Sequence, residues 1–170
     1  IIRALAGSVA PLRNLSESDD TVVLSKSLDS EDSVKDVGHA GTAMRFLTAY
    51  LSTQVGEHIL TGSERMKQRP VGPLVDALKQ VGARVEYLGN EGCPPLRISG
   101  GELSGGNIKI EAGISSQFIS ALMMIGPMLE DGLSIQLKGD VVSASYIEMT
   151  LALMNSCGAG VSFDGRSITV

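Results

Sequence analysis

The sequence predicts an α/β fold of repeated βαβαββ units, arranged with pseudo-symmetry so that helices pack inside and sheets lie outside. Short segments in which apolar residues alternate are interleaved with segments of helical period, as expected for strands and helices. The order helix, strand, glycine-containing loop, helix, glycine, strand, turn, strand occurs in residues 42–99 and recurs in residues 116–170. The helix predicted around residues 118–125 is apolar on most of its surface, which is typical of a helix enclosed by other elements.

Glycine, proline and serine residues mark where the predicted elements begin and end. In order, the elements are a helix ending at Gly7, a helix entered at residues 16–20, a helix from Thr42 to just before Gly56, a strand at 58–61, a helix from Pro70 to Gly82, strands at 85–87, 96–98 and 108–110, a helix begun by Ser115 and Ser116, a strand at 133–137, a helix at 145–157, and a hairpin of 161–163 and 168–170. Pro70 is placed at the first helical position, because that position leaves its N–H unpaired in any case. Gly62 and Gly82 of the first copy match Gly139 and Gly158 of the second.

Composition sets limits on the class of protein. With 170 residues, 43% of them hydrophobic, the chain can bury a core, and we expect residues 1–170 to form a single domain, truncated from a larger protein. The 14 basic and 19 acidic residues give a net charge of −5, which argues against nucleic acid as a partner. Cys93 and Cys157 fit a reducing compartment, so we expect a cytoplasmic location. No apolar run reaches the ~20 residues that cross a bilayer, so no membrane association is expected.

Three predicted helix starts carry small or hydroxyl residues, and a basic loop precedes a fourth. The starts are Gly41-Thr42, Ser115-Ser116-Gln117 and Ser143 to Tyr146, and the basic loop contains Arg65, Lys67 and Arg69. Helix starts present unpaired N–H groups and partial positive charge, and arginine suits bidentate contact with carboxylate or phosphate. Together these features predict a site for more than one anionic group.

Each of these features also has an ordinary structural interpretation. A serine before a helix is most often only an N-cap, a basic loop is most often only solvated, and Gly41 could serve an ordinary turn. The sequence shows no metal-ligand cluster, no Ser/His/Asp arrangement and no phosphate-binding Walker loop.

Four motifs in one order identify a known family. Residues 38–45 resemble the GNAGTAMR signature of the 5-enolpyruvylshikimate-3-phosphate (EPSP) synthase family, with His39 at the place of asparagine. Residues 61–70 resemble its TGxxRMxxRP loop, residues 114–118 its SSQF element, and residues 142–147 its VSxxYI element. Residues 14–20 are similar to its early NLxxSDD segment, so the resemblance covers nearly the whole chain.

The resemblance implies the enolpyruvyl transferase fold, in which two similar domains are each built from three such units. It also implies transfer of the enolpyruvyl group of phosphoenolpyruvate to the 5-hydroxyl of shikimate 3-phosphate, with release of phosphate and without metal or cofactor, on the route to chorismate and aromatic amino acids. Ser115, Ser116 and Ser143 would bind shikimate 3-phosphate, and Tyr146 would pack near its ring. Gln117 would touch both substrates.

The phosphoenolpyruvate site implied by the resemblance consists of Gly41, through its backbone, and Arg69, with Arg45 and Arg65 as supporting residues. No catalytic residue is expected in this chain, because the resemblance places the proton chemistry on a second domain and on an N-terminal segment. We therefore expect the 170-residue chain alone to be inactive. We also expect this chain to be able to self-associate and the full-length enzyme to be a monomer.

Two alternatives stay open. One is the UDP-N-acetylglucosamine enolpyruvyl transferase family, which shares the fold and the donor but commonly uses a loop cysteine that residues 62–69 lack. The other is a non-catalytic binding domain of the same repeat. RNA 3′-phosphate cyclases also use related repeats, but the net charge and the missing nucleotide signature argue against them.

Overall fold

The computed structural model describes residues 1–8, 10–113 and 115–170. Its helices and strands are α1 (Ile2–Leu5), α2 (Asp19–Asp29), β1 (Val34–Asp36), α3 (Gly41–Ser52), β2 (Gly56–Thr61), α4 (Gly72–Gln80), β3 (Arg84–Tyr87), β4 (Leu96–Gly100), β5 (Gly106–Glu111), α5 (Ser116–Ile125), β6 (Leu133–Lys138), α6 (Ala144–Ser156), β7 (Ser162–Phe163) and β8 (Ser167–Thr169). Short 3-10 helices lie at Met66–Gln68 and Gly126–Met128. Among the described helices, none has the length and apolar character needed to cross a membrane.

Two four-stranded sheets have the same topology. Their strand orders are β1-β2-β4-β3 and β5-β6-β8-β7, and in each sheet the first pair is parallel and the others are antiparallel. The parallel pairs β1–β2 and β5–β6 also end in the same way. Just after the first strand of each pair, a backbone N–H donates to the last residue of the second strand: Val37 to the Thr61 carbonyl (2.9 Å) and Ala112 to the Lys138 carbonyl (2.7 Å). The predicted βαβαββ repeat is therefore confirmed.

Helices α3, α4 and α5 form the interior layer against the sheets, whereas α1, α2 and much of α6 lie at the surface. Every residue of α5 from Phe118 to Ile125 is buried, and this helix packs against both α3 and α6. The strands contribute alternate side chains to the same core, with Leu96 and Ile98 of β4 and Ile108 and Ile110 of β5 facing inward. The predicted placement of helices inside and sheets outside is confirmed.

Strand β1 is an element that the sequence pattern does not predict. Its apolar residue faces out and its charged residue faces in, the reverse of the usual pattern of burial. Val34 is 51% exposed, whereas Lys35 is only 6% exposed. The buried Lys35 ammonium donates to the Ser30 carbonyl at 2.5 Å, which satisfies a charge that would otherwise be costly to bury. A three-residue strand with its charged residue inward gives no period-two signal.

Helix α4 begins later than predicted. The sequence places Pro70 at the first helical position, but the helix starts at Gly72 after Val71, and Pro73 lies in its first turn. The N–H groups of Val71 and Gly72 both donate to the Gly92 carbonyl, at 2.8 and 3.1 Å. This tertiary contact holds the chain outside the helix for two further residues.

Candidate functional site

The candidate residues lie on loops that leave the carboxyl ends of parallel strands. Residues 38–40 follow β1 and residues 62–71 follow β2, while residue 115 follows β5 and residues 139–143 follow β6. Parallel neighbours end at the same edge of a sheet, which is where open α/β sheets commonly bind ligands. Ile114, the first residue of the Ile-Ser-Ser-Gln-Phe match, lies outside the described residues.

The loops after β1 and β2 are bonded to each other. The Ser63 N–H donates to the Gly38 carbonyl (3.0 Å), and the Ser63 hydroxyl lies 2.9 Å from Nδ1 of His39. Gly62 is required at this contact, because a Cβ there would lie 2.7 Å from the Gly38 carbonyl oxygen. The two loops therefore form one surface.

Two guanidinium groups lie against the backbone of Gly41 at the start of α3. Nη1 of Arg45 donates to the Gly41 carbonyl at 2.7 Å. A Cβ on Gly41 would lie 2.8 Å from Nη2 of Arg69 and 2.9 Å from Nη1 of Arg45. Since only glycine lets both groups approach this closely, two positive charges meet at one helix start.

Arg45 is buried, and within the part of the chain that the structure describes it forms no ion pair. The residue is only 7% exposed, and its guanidinium lies 5.4 Å from the centre of the Phe118 ring. Its Nε has no hydrogen-bond partner among the described residues. Burial lowers the pKa of Arg45 from its usual value, the neighbouring charge of Arg69 lowers it further, and Asp20 acts in the opposite direction. Arginine stays protonated even so, and this concentration of positive charge favours an anionic ligand.

A hydrogen bond joins the starts of α3 and α5. The Gln117 amide donates to the Thr42 hydroxyl at 3.0 Å, and the Thr42 N–H donates to the Asp20 carboxylate at 3.1 Å. Ser115 is the N-cap of α5, where its hydroxyl accepts from the Gln117 N–H at 3.3 Å, and the exposed Ser115 and half-buried Ser116 flank this junction. The structure thus brings Gly41, Gln117 and the paired serines to one junction.

Ser143 and Tyr146 lie at the start of the neighbouring helix α6. Helices α5 and α6 follow adjacent parallel strands, so they run in the same direction and begin at the same edge. Ser143 is the N-cap and has a left-handed φ of 65°, which is uncommon outside glycine, and Tyr146 is 58% exposed. In the described residues neither makes a direct hydrogen bond to residues 115–117, and the link between the helices is the 2.8 Å contact of the Ser120 and Thr150 hydroxyls.

The structure adds residues that sequence reasoning missed. The sequence places Asp20 in a helix entry and Thr42 at a helix start, and the structure shows that the two connect α2, α3 and α5. No sequence spacing predicts these contacts, because they join separate elements. Arg65 is exposed and lines a cavity of about 410 Å³ together with His39, Met66 and Arg69.

The candidate site is built from cationic, hydroxyl and backbone N–H groups. Within residues 1–8, 10–113 and 115–170, no three His, Cys, Asp or Glu side chains are placed to hold a metal ion. The groups present are backbone N–H groups, guanidinium groups, hydroxyls and one amide, and such fixed donors can bind and orient oxyanions.

Comparison with known proteins assigns the family. The family model for EPSP synthase (3-phosphoshikimate 1-carboxyvinyltransferase) matches residues 2–170. A 3-phosphoshikimate 1-carboxyvinyltransferase of Bacteroides fragilis (strain YCH46) is 53% identical over 163 residues, covering 96% of this chain and 40% of the relative. One of Shewanella pealeana is 53% identical over 125 residues, covering 74% of this chain and 29% of the relative. The chain thus spans about 40% of the length of the Bacteroides relative.

Solved structures agree with the fold. EPSP synthase from Acinetobacter baumannii has a TM-score of 0.77 and 22% identity to this chain, and the match covers 91% of this chain and 40% of that one. At this identity the likeness shows the fold alone, and it confirms the predicted enolpyruvyl transferase fold. Because the family model extends over almost every residue and the Bacteroides relative is 53% identical, this chain belongs to the EPSP synthase family.

Proposed function

We propose that the protein containing this chain transfers the enolpyruvyl group of phosphoenolpyruvate to the 5-hydroxyl of shikimate 3-phosphate and releases inorganic phosphate. One observation supports this most: the start of α3, where Arg45 and Arg69 meet at Gly41, is hydrogen-bonded to the hydroxyl-rich start of α5. Both substrates carry a phosphate and a carboxylate, so the reaction needs two adjacent anion sites. The junction offers one at each helix start.

The donor site is proposed at the start of α3. There the Arg69 guanidinium would pair with an oxyanion of phosphoenolpyruvate, and the Gly41 N–H would donate to it. The buried Arg45 would act by holding the Gly41 carbonyl and by adding positive charge. Charge-assisted bonds of this kind are about twice as strong as neutral ones.

The acceptor site is proposed along the starts of α5 and α6. The hydroxyls of Ser115, Ser116 and Ser143 would donate hydrogen bonds to shikimate 3-phosphate, and the exposed Tyr146 ring would cover one face of its ring. Gln117 lies between the two sites, because its amide is already bonded to Thr42 at the start of α3. It would therefore contact both substrates and hold them in reacting distance.

This chain supplies binding rather than proton chemistry. Enolpyruvyl transfer needs a proton delivered to the methylene carbon and another removed from the attacking hydroxyl. None of the proposed binding residues is suited to either step. We propose that the catalytic acid and base belong to the rest of the enzyme, that residues 1–170 form part of one of its two domains, and that the reaction takes place in the cytoplasm.

The test is release of phosphate from the two substrates. We expect the full-length enzyme to release phosphate only when both substrates are present, and the 170-residue chain to release none. A full-length enzyme that transfers to UDP-N-acetylglucosamine instead would contradict the proposed acceptor. Activity of the chain alone would contradict the division of binding from proton chemistry.

The exposed face of α6 supports a proposal about association. Tyr146, Met149 and Leu153 recur at helical spacing and are 58%, 61% and 56% exposed. Such an apolar stripe favours self-association of the 170-residue chain. For the full-length enzyme we propose a monomer.

A further inference from the structure

The cavity beside the Gly41 junction carries positive charge that the described residues do not neutralise. Its volume is about 410 Å³, and it is lined by His39, Arg65, Met66 and Arg69. No carboxylate lines it, and within the described part of the chain neither arginine forms an ion pair. With Met66 fully buried beneath it, the cavity presents three nitrogen-bearing side chains around one space.

His39 is held in place from one side of its ring. Its Nδ1 lies 2.9 Å from the Ser63 hydroxyl, and Ser63 is itself fixed by its N–H bond of 3.0 Å to the Gly38 carbonyl. The other ring nitrogen, Nε2, makes no hydrogen bond within the residues that the structure describes. A ligand in the cavity can therefore use Nε2 without displacing an existing partner.

The carboxylates on neighbouring segments are engaged elsewhere. Asp36, at the end of β1, accepts the Gly38 N–H at 2.8 Å, and Glu64 pairs with Lys67 at 2.7 Å. The charged groups that share the cavity with His39 are thus Arg65 and Arg69.

We propose that His39 is a pH-dependent ligand of the oxyanion site, so that its protonation strengthens binding of doubly charged phosphate. Imidazole gains its positive charge as the pH falls between about 8 and 5. The family signature has asparagine at this position, and an amide keeps the same charge throughout that range. The identity of the anion as the phosphate of phosphoenolpyruvate rests on the proposed function, whereas the pH dependence rests only on His39 and the two arginines.

Sulfate is the probe that isolates this effect, because it stays doubly charged between about pH 5.5 and 8. We would titrate the 170-residue chain with sulfate and follow the side-chain NMR signals of Arg69 and His39. From pH 8 to 5.5 we expect sulfate to bind about two- to fivefold more tightly, the gain of one exposed ion-pair contact. The variant His39→Asn should bind with the same affinity at both pH values.

His58→Asn is the matched control. His58 lies in β2, and its Nε2 contacts the Gln54 carbonyl at 3.3 Å, away from the cavity. This variant should keep the pH dependence of the unmodified chain. Sulfate affinity that is independent of pH in the unmodified chain, or equally dependent in His39→Asn, would overturn the proposal.

The full-length enzyme gives a second readout. The Michaelis constant for phosphoenolpyruvate is measured for both enzymes, and the value for His39→Asn is divided by the value for the unmodified enzyme. This ratio should rise as the pH falls. Ionisation of the substrate affects both constants equally and therefore cancels in the ratio. A ratio that stays constant would overturn the proposal even if the enzyme is active. pH-dependent sulfate binding in a protein without transferase activity would uphold this inference and overturn the proposed function, so the two fail separately.

Discussion

Replacing Arg69 by alanine in the full-length enzyme is expected to lower kcat/KM for phosphoenolpyruvate by about 10- to 150-fold. A hydrogen bond to a charged group contributes about 1.5–3 kcal/mol, and its loss from the reacting complex reduces the rate by that factor. Most of the change should be a higher Michaelis constant for phosphoenolpyruvate. To the extent that the contact strengthens in the transition state, kcat should also fall. Steady-state kinetics at saturating shikimate 3-phosphate measures both.

Gly41→Ala should act in the same direction through Arg69. Its Cβ would clash with Nη1 of Arg69 and lie 2.8 Å from Nη2, and because this guanidinium is the far end of a flexible, exposed side chain it can move away without disturbing the fold. We therefore expect a weaker affinity for phosphoenolpyruvate at unchanged thermal stability.

Arg97→Ala is the control for the loss of an arginine. Arg97 lies on β4 and pairs with Glu86 at the surface (3.1 Å), a type of contact worth about 0–1 kcal/mol. Its kinetic constants should match those of the unmodified enzyme. Unchanged kinetics in Arg69→Ala would remove Arg69 from the proposed donor site.

Replacing Ser115 and Ser116 together by alanine is expected to weaken binding of shikimate 3-phosphate by about 1–3 kcal/mol for each lost charge-assisted contact. Either loss corresponds to roughly a 5- to 150-fold higher Kd. The affinity for phosphoenolpyruvate should change much less, because Arg69 and Gly41 remain. Calorimetric titration of the full-length enzyme with each substrate separates the two effects.

The capping role of Ser115 has to be separated from binding. Its hydroxyl accepts from the Gln117 N–H, so alanine also costs about 1 kcal/mol of helix stability. Ser115→Asp keeps an N-cap acceptor but places a carboxylate against the phosphate, so it should retain thermal stability and lose affinity. If the double alanine variant binds shikimate 3-phosphate as tightly as the unmodified enzyme, these serines serve only as caps.

The repeat could be predicted from sequence because it depends on local patterns. Strands such as β4 and β6 alternate buried residues with half-buried or exposed ones, and α5 is apolar enough that only an enclosed position suits it. Glycines at matching places end equivalent elements in both copies. These signals are periodic and lie within single elements, so no knowledge of the tertiary structure is needed to detect them.

What could not be predicted depends on contacts between elements. Lys35 reverses the alternation of β1 because its ammonium finds a carbonyl inside, and α4 starts late because the Gly92 carbonyl takes two N–H groups. The same holds for the site. The motifs indicate which residues could bind anions, but only the fold places Arg69 against Gly41 and Gln117 against Thr42.

We propose that this chain carries a preformed binding site for the acceptor, and backbone amide NMR of the 170-residue chain tests this directly. Addition of shikimate 3-phosphate should shift the amide signals of residues 115–117 and 143–146, with little change on the outer faces of the sheets. Absence of shifts at these residues, in a chain whose spectrum shows that it is folded, would contradict the claim.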